Sequence, residues 1–357
     1  MKNNLLIINS IQFGYHIDTY YYCKYLSDKY FITYLCWDHS LPKIDLPRVK
    51  VIYVNRRGNM VTRSLRFLRY AFKEFRHDPT IVFIKYFKIV SLALRLLKPT
   101  YNYVLDIRTG SVHKNRIIRK LHDARLKFEI RFYKNVTVIS ESLAQKLDIS
   151  DRAHILPLGA DVISNKNKTF KELNLLYVGT LHSRNIDITI HGFKKFYDEF
   201  KNQILITYTI IGSGLDNEEI SLRNIVDKYD ISKIVKITGQ IPHNQLTPFF
   251  ESSNIGISYV PLTDYYDVQP VTKTYEYLLS GMPVVATNTS ENRKVINQGN
   301  GVLIGDTAED FYTGLKTILK NRLFFDSVKI RNNSMEYTWY NIVDKNLKIY
   351  LDQVCGN

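Results

Sequence analysis

A two-domain α/β protein, each half a doubly wound parallel sheet, is the fold class this sequence predicts, and three observations carry it. The chain has 357 residues and is 45% apolar, more than one compact domain usually needs and enough for two packed cores. Short β-rich apolar runs alternate with helical stretches along its whole length, the pattern of strand–helix–strand units in a parallel sheet. Glycines stand just past the ends of those runs, at Gly14, Gly179, Gly212, Gly214 and Gly239. Glycine at a strand end is commonly a tight turn, so the information lies in their shared placement on one sheet edge.

The elements follow in order. The first half offers LLIIN (5–9), FITYL (31–35), VKVIYV (49–54), TIVFI (80–84), YVLDI (103–107) and VTVIS (136–140), with HILPLG (154–159) as its last strand. Each run is short and rich in β-branched or aromatic residues, as a buried strand requires. The polar, lysine-rich segment SNKNKTFKEL (164–173) is the expected linker. The second half repeats the pattern with LLYV (175–178), TYTII (207–211), IVKIT (234–238), IGISYV (255–260), PVVAT (283–287) and GVLI (301–304). Ligands of such sheets bind beyond the carboxyl ends of the strands, and the cleft between the halves is the expected site.

Charge divides the chain unevenly. Residues 1–160 hold 28 lysines and arginines against 12 acids, while residues 161–357 hold 21 against 22. The first half is therefore expected to face something anionic: phospholipid, a phosphorylated substrate or nucleic acid. Arg63, Arg66, Arg69, Lys73 and Arg76 recur at helical spacing in TRSLRFLRYAFKEFRH (62–77), with Leu65, Leu68, Phe72 and Phe75 on another face. An ordinary solvated basic face is one reading; a surface laid against anionic lipid is the one adopted. No RNP, KH, zinc-finger or helix-turn-helix signature accompanies the charge, so nucleic acid is not an expected partner.

Other classes are excluded by composition. No run of eighteen uncharged apolar residues occurs, and Leu5 to Ile8 is too short for a signal-peptide core. The expectation is a cytoplasmic protein, peripheral on the inner face of the cell membrane. Three scattered cysteines, Cys23, Cys36 and Cys355, give neither a disulfide framework nor a zinc site. The nine histidines show no ligand spacing and the carboxylates no D-x-D, so no metal is expected.

The most informative stretch is VTKTYEYLLSGMPVVATNTSENRKVI (271–296). After PLTDYYDVQP, a helix can start with Pro270 as its first residue or Thr272 as its N-cap. Lys273 and Glu276 then lie three apart on one face. Gly281 supplies a left-handed stop and Pro283 bars continuation. A phosphate can sit on the free N–H groups of the helix start, and Glu276, which only accepts hydrogen bonds, can take both hydroxyls of a ribose. The plainer alternative has Glu276 complementing the helix dipole and Lys273 in solvent.

These segments in sequence, LLYVGTLHSRNID (175–187), IIGSG (210–214), IVKITGQIPHNQL (234–246) and P-x-x-K-x-x-E-Y-x-x-S-G-x-P-V-V-A-T (270–287), resemble the carboxyl-terminal domain of retaining family 4 glycosyltransferases of the GT-B fold. GYHIDTYYYCKYL (14–26), VTVISESLAQKL (136–147) and ILPLGADV (155–162) are similar to its first domain, and MEYTWYNIVDKNLKIYLDQV (335–354) to its closing helix. The resemblance implies two Rossmann-like domains with parallel sheets facing across a cleft. These are an acceptor-binding domain at 1–165, a nucleotide-sugar-binding domain at 166–335, and a closing helix at 336–357 that crosses back to the first. It also implies transfer of a sugar from a nucleoside-diphosphate donor of UDP or GDP type to a glycan or lipid-linked acceptor, with retention and without metal or other cofactor, in bacterial surface-polysaccharide assembly.

Site residues carry over one by one. Glu276 matches the second glutamate of the E-x7-E motif and would bind the ribose; Val271, Thr272 and Lys273 would offer N–H groups and charge to the diphosphate. Arg184 matches a basic side chain on the leaving phosphate, Gly239, Gln240 and Ile241 the loop that reads the base, and Gly14, Gly179 and Gly212 the loops beside the donor. The sequence departs from the pattern at Val268, where the first glutamate is missing beside Asp267, and at Thr180, where arginine is common. The family's first-domain histidine is replaced in VLDIRTG, where Asp106 or Arg108 would approach the sugar. A non-hydrolysing sugar-nucleotide 2-epimerase shares the architecture and is the alternative enzyme.

Overall fold

The computed structural model describes residues 2–113 and 115–356. The chain forms two compact units, one of Met1–Leu158 with Trp339–Asn357, the other of Gly159–Thr338.

The first unit is a seven-stranded, all-parallel sheet of β1 (Asn3–Asn9), β2 (Tyr30–Asp38), β3 (Val49–Asn55), β4 (Ile81–Lys85), β5 (Tyr103–Ile107), β6 (Asn135–Val138) and β7 (Ala153–Ile155). Its order is β3-β2-β1-β4-β5-β6-β7, so the winding reverses between β1 and β4. Helices pack on the sheet, and the strand residues Leu5–Ile8, Ile81–Ile84 and Tyr103–Ile107 are all buried, as a sheet covered on both faces demands. The carboxyl-terminal helical segment closes this unit. Trp339 stacks on Tyr21 at 5.2 Å, Tyr30 donates its hydroxyl hydrogen to Asp352 at 2.7 Å, and His154 lies 2.7 Å from Asn346 Oδ1.

The second unit is a six-stranded parallel sheet of β8 (Leu173–Val178), β9 (Ile206–Ile211), β10 (Val235–Gly239), β11 (Ile255–Ser258), β12 (Val284–Thr287) and β13 (Gly301–Ile304), ordered β10-β9-β8-β11-β12-β13. Here the reversal falls between β8 and β11, the place where such sheets leave a crevice at their carboxyl edge.

The segment 164–173, expected as a linker, lies within the second unit and sends alternate residues into its core, while Asn165, Lys166, Asn167, Thr169 and Lys171 are exposed. Ser164, Lys168 and Phe170 are buried. The Lys168 backbone N–H donates to Ser327 Oγ at 3.0 Å, its ammonium donates to the Phe250 carbonyl, and Phe170 packs on the Phe325 ring. Lysine has a long apolar stem, so Lys168 can line the core while its head finds a carbonyl.

Candidate functional site

At the reversal in the second sheet, β8 ends into Gly179 and β11 runs through the loop 261–270 into the helix Thr272–Leu279. Val271 is the N-cap, with extended backbone and no side-chain cap bond; Thr272 is therefore the first helical residue, not the N-cap, and the turn is not begun by Pro270. Gly281 ends the helix at φ +71, and a Cβ there would meet Ser327 Oγ at 2.3 Å. Around this helix start lies a cavity of about 350 Å³ lined by Gly179, Arg184, Val271, Thr272, Lys273 and Glu276, with Tyr177, Tyr266 and Gln269 among its other walls. Six of the residues expected from sequence thus share one cavity.

Each basic group in it is held. Arg184 stands between Ser183 and Asn185, both non-glycine residues at positive φ (57 and 51), a costly conformation that surrounding structure must enforce. Its guanidinium lies over the Tyr266 ring, 4.2 Å from the centroid, and donates to the Tyr266 hydroxyl, which in turn donates to the Ser183 carbonyl at 3.3 Å. Lys273 is not in solvent. It is buried, donates to the Tyr259 carbonyl at 3.1 Å and sits over the Tyr177 ring at 3.9 Å. Burial, reinforced by the Arg184 charge, holds its ammonium well below the usual lysine range.

Gly179 faces this cavity: a Cβ there would sit 3.7 Å from Lys273 Nζ. Gly212 does different work, because its Cβ would fall 1.8 Å from the Gly179 carbonyl oxygen. It is the close approach of two loops, not an open contact, that requires glycine there. Gln240 accepts from Ser213 Oγ at 3.3 Å, and Ile241 follows it on the loop after β10. That loop contributes a residue with no counterpart among the expected site residues. His243 Nε2 lies 3.0 Å from Glu276 Oε1. The hydrogen bond it donates to Glu276 raises the imidazole above its ordinary value, against the effect of burial and with help from the charges of Glu276 and Asp161.

The expected acid at the first motif position has no substitute in Asp267. Its carboxylate takes the Ser290 N–H at 2.8 Å and the Ser290 hydroxyl at 2.6 Å. Among the described residues one group combines histidine and carboxylates: His182, with Nδ1 2.9 Å from Glu218 and 3.6 Å from Asp216. Glu218 also accepts the Asp216 N–H at 2.8 Å, so the group fastens the loop before its helix.

In the first unit, Gly14 adopts φ +88, and a Cβ would press on the Ile44 side chain at 2.2 Å. Two residues on, His16 caps the helix Ile17–Leu26 through Nδ1, and burial lowers its imidazole to about 4. Asp106, expected beside a sugar, is fully buried. One oxygen accepts from Thr137 at 2.8 Å and lies 3.8 Å from Arg108. Burial lifts its carboxyl to about 6. Arg108 is equally committed, to Asp18 at 2.5 Å and to the carbonyls of Leu156 and Pro157. Both are buried within the unit; Arg108 is fully engaged there, whereas Asp106 Oδ2 has no hydrogen-bond partner among the described residues.

The basic helix spans Met60–Phe75. Its buried face is Phe67, Ala71, Glu74 and Phe75, one step round from the expected Leu65, Leu68, Phe72 and Phe75. Leu65, Leu68 and Phe72 instead line an open groove of about 1080 Å³ with Leu97 and Tyr101, bordered by Arg66, Arg69, Lys73, Arg76 and Lys98. Arg66 is tied to the Asn55 and Arg57 carbonyls, while Arg69, Lys73 and Arg76 are exposed and Arg63 is half-buried. Among the described residues no helix is long and apolar enough to cross a membrane.

Comparison with known proteins places this geometry. Residues 172–321 match the model of the family Glycosyl transferases group 1. No curated protein sequence matches the chain. Among solved structures, sucrose-phosphate synthase from Thermosynechococcus elongatus is similar over 100% of both chains, with 15% identity and a TM-score of 0.78. The HepE protein of Anabaena, solved with UDP and glucose, is similar over 98% of this chain and 100% of its own, at 11% identity and a TM-score of 0.75. A lipopolysaccharide outer core galactosyltransferase aligns over 99% of each chain at 14% identity and 0.72. Two parallel-sheet Rossmann-like units in this arrangement of strands are the GT-B fold, and the match to the group 1 glycosyl transferase model lies within the second unit.

Proposed function

We propose that this chain is a retaining glycosyltransferase of family 4 type that moves a sugar from a nucleoside-diphosphate donor, UDP or GDP, to a glycan or lipid-linked acceptor in bacterial surface-polysaccharide assembly. The observation that carries the reading is the single cavity holding Arg184, Lys273, Glu276 and an uncapped helix start. Free N–H groups at a helix start attract phosphate. Glu276 supplies acceptor oxygens for ribose hydroxyls, and Arg184 a fixed guanidinium for the β-phosphate. As the glycosidic bond breaks, charge accumulates on that phosphate, so a cation already held in place stabilises the transition state more than the ground state. With these groups offsetting the charge, the reaction needs no resident metal.

Two structural neighbours support the donor and pathway assignments: one was solved with UDP and glucose, another is a lipopolysaccharide galactosyltransferase. Acceptor binding is assigned to the first unit. A membrane-peripheral placement on the cytoplasmic face is supported by its basic, apolar groove, since cations beside exposed leucines suit an anionic lipid surface.

Thermal-shift titration with UDP and GDP in the presence of EDTA tests the reading. A ligand at a hundred times its dissociation constant stabilises by about 2.7 kcal/mol. Proton NMR of the product from a donor that shifts the protein then reports whether the anomeric configuration is kept. Failure of every nucleoside diphosphate to shift the protein would remove the proposal, and an inverted product would remove retention alone.

A further inference from the structure

We propose that His243 is a positioning residue of the donor site: it anchors one carboxylate oxygen of Glu276, leaves the other to the ribose of the nucleotide, and makes donor affinity follow its own protonation. The inference rests on the donor-site reading above and adds a residue from a different loop.

The geometry is specific about protons. A carboxylate only accepts, so at 3.0 Å from Glu276 Oε1 it is His243 Nε2 that carries hydrogen. The second proton of the imidazolium therefore goes to Nδ1, on the side away from Glu276. Glu276 is buried at the helix and His243 is half-exposed, with side-chain exposures of 9% and 50%. The pair thus spans from the wall of the cavity to solvent. Glutamate has several rotatable bonds, and fixing one oxygen before the nucleotide arrives lowers the cost of ordering it on binding. The other oxygen, Oε2, accepts no hydrogen bond from the described residues.

Protonation adds a second effect. Glu276 and Asp161 are the charged groups that favour the imidazolium, and His243 is held above the ordinary histidine value. Lys273, one turn before Glu276, and Arg184 are the cations that line the same cavity as that carboxylate. A dianionic nucleotide-sugar binds more tightly beside an imidazolium than beside a neutral imidazole. By linkage its affinity rises as pH falls through the histidine range.

Calorimetric titration of UDP-glucose and GDP-mannose between about pH 5 and 8 tests this, because the diphosphate of neither compound titrates there. Wild-type affinity should weaken several-fold across that range. His243→Gln, whose amide can donate to the same oxygen, should keep affinity within about threefold but lose that slope. His243→Ala should bind about tenfold more weakly, with kcat at saturating donor little changed, since the contact it supports exists before the bond breaks. Any slope due to Lys273 is common to all three proteins, so the difference between wild type and His243→Gln isolates the histidine. Equal slopes in those two, or wild-type affinity in a folded His243→Ala, would overturn the proposal while leaving the donor site standing. Wild-type protein that binds neither compound at any pH would remove the donor-site reading and the proposal with it.

Discussion

Arg184 is fastened to Tyr266 twice, by its guanidinium over the ring at 4.2 Å and by a hydrogen bond to the hydroxyl. The two residues come from the loops after β8 and β11, so this contact joins the two sides of the sheet reversal. It also explains how a strained loop, with Ser183 and Asn185 at positive φ, keeps one conformation. Arg184→Ala should lower kcat about 10²- to 10³-fold, as loss of one fixed transition-state donor does, with a smaller change in donor affinity. Tyr266→Phe keeps the ring under the guanidinium and should cost far less than Tyr266→Ala. Equal losses in kcat for the two tyrosine variants would show that the ring does not position Arg184.

Glu276 answers to a different measurement. On the proposed reading it holds the ribose both before and during reaction, so Glu276→Ala should weaken nucleotide binding by about 1.5 to 3 kcal/mol, the range for hydrogen bonds to a charged group. Titration of the folded variant with the nucleoside diphosphate that binds wild type checks this. Unchanged affinity would reduce the carboxylate to a helix-dipole charge paired with His243.

Lys273 links the site to stability. The folded state holds its ammonium below the ordinary 10.5, so across that window the unfolded chain binds more protons. The stability it contributes is present above the unfolded value and is lost as pH falls through the depressed one. Lys273→Met should therefore flatten the rise in stability with alkaline pH and make the protein more stable near neutrality, while nucleotide affinity falls. Urea unfolding across that pH range gives the first result and calorimetry the second. A variant destabilised at neutral pH would mean that the ammonium's bond to the Tyr259 carbonyl outweighs its desolvation.

The strands were legible because buried parallel strands are written locally: thirteen short β-branched or aromatic runs stand where thirteen strands form. The cavity at the reversal of the second sheet was legible too, since Lys273 and Glu276 sit on one helical turn and the glycines mark strand ends. His243 was not, because its partner lies 33 residues away and no local pattern joins them. Asp106 was placed correctly at a strand end, yet its burial depends on Arg108, which is committed to Asp18 90 residues earlier and to Leu156 48 residues later. On the basic helix, apolar residues occur in two phases, 65/68/72 and 67/71/75. Only packing on the sheet decides which phase is core.

Asp106 itself gives a pH test. Burial raises its carboxyl from 3.8 to about 6 in the folded state, so between those values the folded chain holds more protons. The stability it contributes is full below the unfolded value and lost as pH rises through about 6. Asp106→Asn can still accept from Thr137, and Arg108 retains Asp18 and two carbonyls. The variant should remove that slope and leave kcat/KM within about twofold, well short of the loss expected when a charged hydrogen bond to substrate is deleted. A hundredfold loss in the folded variant would return Asp106 to the reacting sugar.

The groove on the first unit is tested by charge and by lipid. Arg66 is bonded to two carbonyls of its own unit, so reversing it would confound folding with binding. Arg69, Lys73 and Arg76 are exposed, and each cation near an anionic surface contributes about 1 kcal/mol. Changing these three together to glutamate should abolish sedimentation with vesicles containing phosphatidylglycerol while nucleotide binding is kept. Wild-type attachment should weaken with salt, because the attraction acts over a distance comparable to the Debye length. Leu65→Ser with Leu97→Ser should reduce attachment that persists in high salt, since those two leucines are the most exposed apolar residues of the same groove. Equal binding to neutral and anionic vesicles would leave the apolar residues as the anchor and the cations as an ordinary solvated face.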